Sequence, residues 1–401
     1  MESGLQMSVV VALTATMVLW TFVSGRLERW NISAPMWFVA VGWFLANRPM
    51  KVVDIGLGNE GLRQMAEITL AIVLFSDAAR VNVRDLRRDA GLPIRLLVFG
   101  LPLTIALGTL LAHLVVPSLG WWVCAVIGAA VAPTDAALGA AIIEDERVPE
   151  RIRRVLNVES GLNDGIATPF VKFFLVAAVA GTALETESDG RAIVELAVGA
   201  LGGAAIGFAV AWLLRQARRA GWAAASYRAL GVAAAALFSY AAVIELKGNG
   251  FVGAFVAGLA FGAATRDDLE ESLEFTHQAA ELASLVVWFM FGAVMLPALQ
   301  YAHWQDFVFA ALALTVARMV PVALVLIGTK LDLATVAVVG WFGPRGLASV
   351  VFALLAVDAL APADSARVVG IITATVLMSV VLHGASAAPI TARYGATHTS
   401  S

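Results

Sequence analysis

Glu159, Ser160, Asn163 and Asp164 fall within one apolar stretch, Val155 to Ala178, of a chain that keeps most of its charge out of its hydrophobic runs. A carboxylate in such a place costs about 2.5 to 3.5 kcal/mol on insertion scales, so it is rarely kept for structural reasons alone. Helical spacing sets Glu159 with Asn163, and Ser160 with Asp164, on two neighbouring polar stripes. One stripe suits structure and the other chemistry. Hard monovalent cations such as Na+ prefer oxygen ligands, as Ca2+ and Mg2+ do. Asp164, the Ser160 hydroxyl, Asp135 and main-chain carbonyls freed near Thr134 together could replace most of a hydration shell. Asp77, in the run Leu74-Phe75-Ser76-Asp77-Ala78, either reaches the same cavity or remains an interfacial carboxylate in water.

Two arginines lie inside apolar runs, Arg318 in the middle of 307–327 and Arg345 within 333–355. Neither can shed its proton, so each requires an acceptor. The reading that satisfies both pairs Arg318 with Glu159, supported by the Asn163 side-chain oxygen, and sets Arg345 against exposed main-chain carbonyls. Asp164 is then the acid whose counter-charge is exchangeable. In a site of low dielectric a carboxylate holds a proton or a metal ion but not both, and that competition is an exchange mechanism in itself. Lys172 is read as snorkelling to an interface. Glu245 and Lys247 flank a short loop. His113, His277, His303 and His383 are scattered near helix ends without ligand spacing, so no resident metal site and no cofactor are expected.

The elements that must hold these residues are set by composition. The chain of 401 residues is 60% hydrophobic and 14% charged, with a mean hydropathy of +0.83, against roughly 45–50% and about 25% in soluble domains. An all-α polytopic membrane protein follows, with the lipid bilayer as its first partner. The net charge of −3 indicates no nucleic-acid partner, and the single Cys124 excludes an intramolecular disulfide. The first apolar run lacks a basic leader and a convincing small-residue cleavage site, and is read as a retained helix. A spanning helix needs about 20 mainly apolar residues. Thirteen segments meet that measure, near 7–24, 34–47, 61–79, 93–115, 121–143, 155–178, 193–214, 229–246, 251–264, 279–298, 307–327, 333–355 and 368–384. Those at 34–47 and 251–264 are short, so they are half-buried, tilted, or longer than drawn.

Alternate loops separate sharply in charge: one set carries 17 Lys and Arg, from Arg26 to Arg393, and the other five, Arg48, Lys51, Arg191, Lys247 and Arg367. Positive residues concentrate on the cytoplasmic side, which predicts an outside N-terminus and a cytoplasmic C-terminus. The acidic stretch from Leu184 to Gly190 agrees with an outer position. The stretch Val81 to Gly91 reads either as an amphipathic interfacial helix or as a solvated basic loop. No soluble domain is expected, and the tail after Pro389 is short.

An odd number of spans is what two inverted six-helix repeats joined by one helix would give. On that plan 1–401 is a single transport domain, with repeat one at about 7–178, a linking helix at 193–214 and repeat two at about 229–384. Segment 121–143 is interrupted by Ala132-Pro133-Thr134-Asp135, and its counterpart seven spans later by Gly343-Pro344-Arg345-Gly346. Proline removes a donor and glycine loosens the helix, so both segments are expected to unwind and to cross near 132–136 and 343–346. A pair of plain proline kinks is the simpler alternative for Pro133 and Pro344.

The strings VAPTDAALGA (131–140), ESGLNDG (159–165), FVGAFVAGLAFG (251–262), ARMVPV (317–322) and GPRGLASVVFALL (343–355) resemble the monovalent cation:proton antiporter-1 family, which includes the sodium/hydrogen exchangers. The match runs in order over nearly the whole chain. The resemblance implies that Asp164 carries cation and proton, that Asp135, Ser160 and the Thr134 main chain are Na+ co-ligands, and that Asp77 is a peripheral acid. It also implies a structural group of Glu159, Asn163 and Arg318, electroneutral exchange because Asn163 precedes the key acid, a homodimer in the cell (inner) membrane, and an elevator-like motion. Two features depart from the pattern. Pro133 precedes the Thr-Asp pair where the commoner order has proline after Asp, and relatives carry longer tails.

Function therefore narrows to electroneutral exchange of Na+ or Li+ for H+. The alternatives are exchange of K+ or another substrate for H+ on the same fold, and a cation channel. No nucleotide-binding string or nucleophile-base arrangement points to an enzyme, and no pore filter repeats around a symmetry axis.

Overall fold

The computed structural model describes residues 7–47, 50–51, 53, 56–81, 91–180, 186–265 and 270–398, and among them every regular element is helical. Each of the thirteen expected segments coincides with a helix or with a helix interrupted near its middle. Eight are long and apolar enough to cross a membrane by length and composition alone. Glu60–Arg80 has the length, but it carries Glu60, Arg63, Glu67, Asp77 and Arg80. Ala34–Ala46 has 13 residues, about 20 Å at 1.5 Å per residue, shorter than the roughly 30 Å hydrocarbon core. The charged stretch 82–90, Arg48 and Arg266 lie outside the described residues.

Three boundaries differ from expectation. Thr186–Arg219 begins before the expected linking helix, so residues 186–190 are helical rather than loop. The final helix, Pro362–His398, continues through Pro389. His383 therefore lies well inside a helix, not near its end. The run expected at 307–327 divides into Trp304–Leu314 and Val316–Val325 at Thr315, whose φ of −106° and ψ of −81° leave the helical region. The Thr315 hydroxyl returns to the Ala311 carbonyl at 2.6 Å, the kind of side-chain competition that bends helices without proline.

Contacts divide the chain into two compact units. The first comprises residues 1–66, 91–163 and 285–401. It holds both interrupted helices, Trp121–Ala130 with Ala140–Ile143, and Leu333–Trp341 with Leu347–Ala359. Asp332 caps the start of Leu333–Trp341 by accepting the Thr335 N–H at 3.2 Å. Leu347–Ala359 is buried continuously from Leu347 to Ala356, as a helix apolar on all sides must be. Leu92, Ile152, Leu156, Val322, Val339, Phe342 and Tyr394 belong to one packed cluster.

The second unit comprises residues 67–90 and 164–284. Gly250–Thr265 is started by Asn249, whose Oδ1 accepts the N–H groups of Phe251 and Val252 at 3.1 and 3.2 Å. Gly199, Gly203 and Gly207, four apart on Thr186–Arg219, lie directly against the backbone at Asn249, Gly253 and Ala257. A Cβ at Gly203 or Gly207 would overlap the carbonyl oxygen of Gly253 or Ala257. The stripe lets two backbones touch, a common solution where lipid offers no hydrophobic drive between helices.

Candidate functional site

Both interrupted helices unwind where proline and glycine fall. After Ala130 the chain is irregular through Thr134 and Asp135 before turning into Ala140–Ile143, and after Trp341 it is irregular from Phe342 to Gly346. The two breaks bond to each other. The Asp135 N–H donates to the Pro344 carbonyl at 2.8 Å. The Asp135 carboxylate accepts from Leu347 N–H at 3.0 Å with Oδ2, and from Ala137 and Leu138 N–H at 2.8 and 3.2 Å with Oδ1. Asp135 thus caps its own turn and, in addition, the start of Leu347–Ala359, where unsatisfied N–H groups and the helix dipole favour a negative charge. Gly346 makes this possible, because a Cβ there would overlap that carboxylate.

Arg345 is fully buried. Its Nη1 donates to the carbonyls of Ala132 at 2.5 Å and Pro133 at 3.2 Å, and its Nη2 to that of Ala313 at 3.3 Å. Unwinding at Pro133 leaves carbonyls without ladder partners, and the guanidinium of the opposite break covers them. The first break thereby sends a negative side chain to the second, and the second a positive one to the first.

Glu159 and Arg318, each 3% exposed, form a two-armed pair with Nη1 to Oε1 at 2.5 Å and Nη2 to Oε2 at 2.8 Å. Arg318 also reaches the Val339 carbonyl at 3.4 Å. Asn163 does not join this pair, which corrects the expectation that its oxygen supports Arg318. Its Nδ2 donates to Thr134 Oγ1 at 2.5 Å, and its Oδ1 is buried without a hydrogen-bond partner. Thr134 Oγ1 in turn lies 3.0 Å from Ser160 Oγ. The Thr134 side chain is therefore tied to two residues of Glu150–Ala180, each of the two polar stripes supplying one.

Asp164 follows Asn163 in the same helix and is half-buried, as is Asp77. Both belong to the second unit. The Asp164 carbonyl accepts the Thr168 hydroxyl at 2.8 Å, and Pro169, inside the helix, has no N–H to offer the Gly165 carbonyl. Gly165 lies flush against the Phe255 ring, and Phe75 and Ala78, either side of Asp77, pack at Gly258. The helices bearing both acids therefore rest on Gly250–Thr265. Among the described residues no three His, Cys, Asp or Glu side chains gather as a metal cluster.

The motifs do not identify Ser379 and His383 as site residues, yet both bond to the second break. The only signal was their spacing of four on the final apolar run.

The sequence matches the family profile described as sodium/hydrogen exchanger, transmembrane, over residues 11–393. The chain belongs to the sodium/hydrogen exchanger family. Among similar proteins are the K+/H+ antiporter NhaP of Alkalimonas amylolytica, 24% identical over 81% of this chain and 56% of that protein, and the K+/H+ antiporter NhaP2 of Shewanella oneidensis, 28% identical over 62% and 42%. The Na+/H+ antiporter of Schizosaccharomyces pombe is 27% identical over 69% and 65%. The chain spans about half the length of the first two. The structure of the sodium proton antiporter MjNhaP1 from Methanocaldococcus jannaschii at pH 8 matches with a TM-score of 0.78 and 19% identity, covering 97% of this chain and 99% of that one. The exchanger fold is therefore that of a multi-pass membrane transporter.

Proposed function

We propose that this exchanger moves one monovalent cation, Na+ or Li+, against one proton, with the two competing for the Asp164 carboxylate. Ser160, Asp135 and the Thr134 main chain supply further oxygen to the cation. Asp77 is a peripheral acid. Glu159 and Arg318 are structural. The observation that carries the reading is the paired unwinding at Pro133 and Pro344, where Asp135 and Arg345 stabilise opposite ends of two broken helices. Irregular backbone at membrane depth is costly unless it serves a polar path or is enclosed by protein, and broken helices in matching halves mark carrier binding sites. Ser160 stands one turn before Asp164 on the same helix, and its hydroxyl bonds to Thr134 at the first break.

The protein works as a homodimer in the cell membrane, with its N-terminus outside and its C-terminus in the cytoplasm. Support for the orientation comes from the charge asymmetry of the loops. A second reading, exchange of K+ for H+, is favoured by the relatives named K+/H+ antiporters.

The deciding experiment is a cation jump in proteoliposomes with an internal pH dye, comparing Na+, Li+ and K+ with and without a clamped potential. Proton flux with Na+ that is insensitive to the clamp is the expected result. Flux with K+ alone selects the second reading, and cation current without proton movement overturns both. Asp164→Asn should abolish exchange in a folded protein, and retained exchange would remove Asp164 from the mechanism.

A further inference from the structure

We propose that His383 and Ser379 are positioning residues for the second break, acting through Arg345 on the carbonyls beside Thr134. Both are buried in the final helix, at 1% and 0% exposure. His383 Nε2 lies 2.9 Å from the Trp341 carbonyl, and a carbonyl only accepts, so Nε2 carries a proton. Its Nδ1 lies 3.1 Å from Ser379 Oγ and 2.9 Å from the Ser379 carbonyl. In the neutral ring Nδ1 accepts the Ser379 hydroxyl proton, and the Ser379 oxygen accepts the Arg345 N–H at 2.6 Å. A doubly protonated ring would turn Nδ1–H to the Ser379 carbonyl, and the bond to Trp341 would be unchanged.

The two ends of the break are thus clamped to one helix face. Trp341 is the last residue of the first half-helix, and its carbonyl, outside the helix ladder, accepts the Gly343 N–H at 2.8 Å as well as the His383 bond. Its indole Nε1–H donates to Ser386 Oγ at 2.9 Å, and its ring lies against the His383 ring with centroids 5.0 Å apart. At the other end, fixing the Arg345 main chain fixes where the guanidinium begins, and its Nη1 ends on the carbonyls of Ala132 and Pro133. His383 therefore bears on the Thr134 and Asp135 segment through two intermediaries, Ser379 and Arg345, without touching that segment. Outer partners of this kind typically alter metal affinity by roughly 10- to 100-fold when removed.

The inference rests on the exchange reading only for its transport readout. The variants are His383→Phe, which keeps an aromatic ring beside Trp341 but loses both bonds, Ser379→Ala, and His383→Gln, which restores an N–H donor. Hydrogen exchange of the purified full chain reports on residues 342–347, and proteoliposome assays report the cation KM, the maximal rate and the pH profile. His383→Phe and Ser379→Ala should expose the Arg345 amide to faster exchange and raise the cation KM about tenfold, with His383→Gln returning both toward wild type. A variant that only melts earlier, with the KM and pH profile of the surviving protein unchanged and segment 342–347 still protected, would overturn the proposal. Should the wild-type protein show no cation-dependent proton flux, the exchange reading fails, and amide protection alone then decides whether His383 positions the break.

Discussion

Arg318→Met keeps most of the aliphatic stem but removes the charge that meets Glu159. Both side chains are 4% exposed, so the remaining carboxylate would be stranded away from water with neither arm of the pair. Removing one partner of a buried pair costs about 3 to 5 kcal/mol, because the penalty is an uncompensated charge rather than the net strength of the pair. At about 1.4 kcal/mol per decade that is two to three and a half decades in the ratio of folded to unfolded protein. The bond from Arg318 to the Val339 carbonyl is lost as well, but at 3.4 Å it adds little. Adding Glu159→Gln to the same background removes the stranded charge and should recover a large part of the loss. The assay is thermal and denaturant unfolding of the single and double variants in detergent, followed by tryptophan fluorescence, with cation affinity measured in parallel. If the single variant is as stable as wild type, or if it folds normally and loses only cation affinity, the structural role is wrong. Equal instability of single and double variants would show that the loss comes from packing and not from charge.

Gly346→Ala should displace the Asp135 carboxylate from the Leu347 N–H, reducing exchange at least tenfold and costing about 1 to 3 kcal/mol from overpacking; normal transport by this variant would show that the cap is dispensable. Gly203→Leu should force apart the helices Thr186–Arg219 and Gly250–Thr265 and lower the melting temperature, and an unchanged melt would refute backbone contact there. In the loop before Glu150, the Arg147 guanidinium holds the Asp145 carboxyl below its ordinary value of 3.8. A depressed folded value gives stability above the ordinary carboxylate range that is lost as pH falls through that value. Arg147→Ala should therefore lower the melting temperature slightly at neutral pH and match wild type once Asp145 is protonated. A difference of the same size persisting in strong acid would assign it to packing.

The breaks were readable because proline, glycine and charge violate the rule of an apolar run, and such violations stand out in one dimension. Arg318 called for an acceptor, since an arginine that keeps its proton at membrane depth must find one, and Glu159 was the partner chosen among the carboxylates and carbonyls open to it. Asn163 could not be placed the same way. Its spacing from Glu159 suggested a shared partner, but Thr134, 29 residues earlier, approaches from the first break and takes the amide. Ser379 and His383 were hidden for a related reason, because a serine and a histidine four apart in an apolar helix read equally well as packing until Trp341 and Arg345 are seen beside them. The kink at Thr315 has neither proline nor glycine to announce it. Asp135 was read as a cation ligand from its place at the first break and from the family resemblance, and its bond to the Leu347 N–H became visible only with the opposing segment in place.

Asp135 and Leu347 are 212 positions apart along the chain, so a ribosome releases the first long before the second exists. Until then the Asp135 side chain has only the N–H groups of its own turn, and the carbonyls of Ala132 and Pro133 lack the Arg345 guanidinium. Full burial of residues 121–143 is therefore expected only after the closing spans emerge. A nascent chain arrested before Gly343 would be held in that unfinished state, open to quality-control proteases, however hydrophobic its sequence.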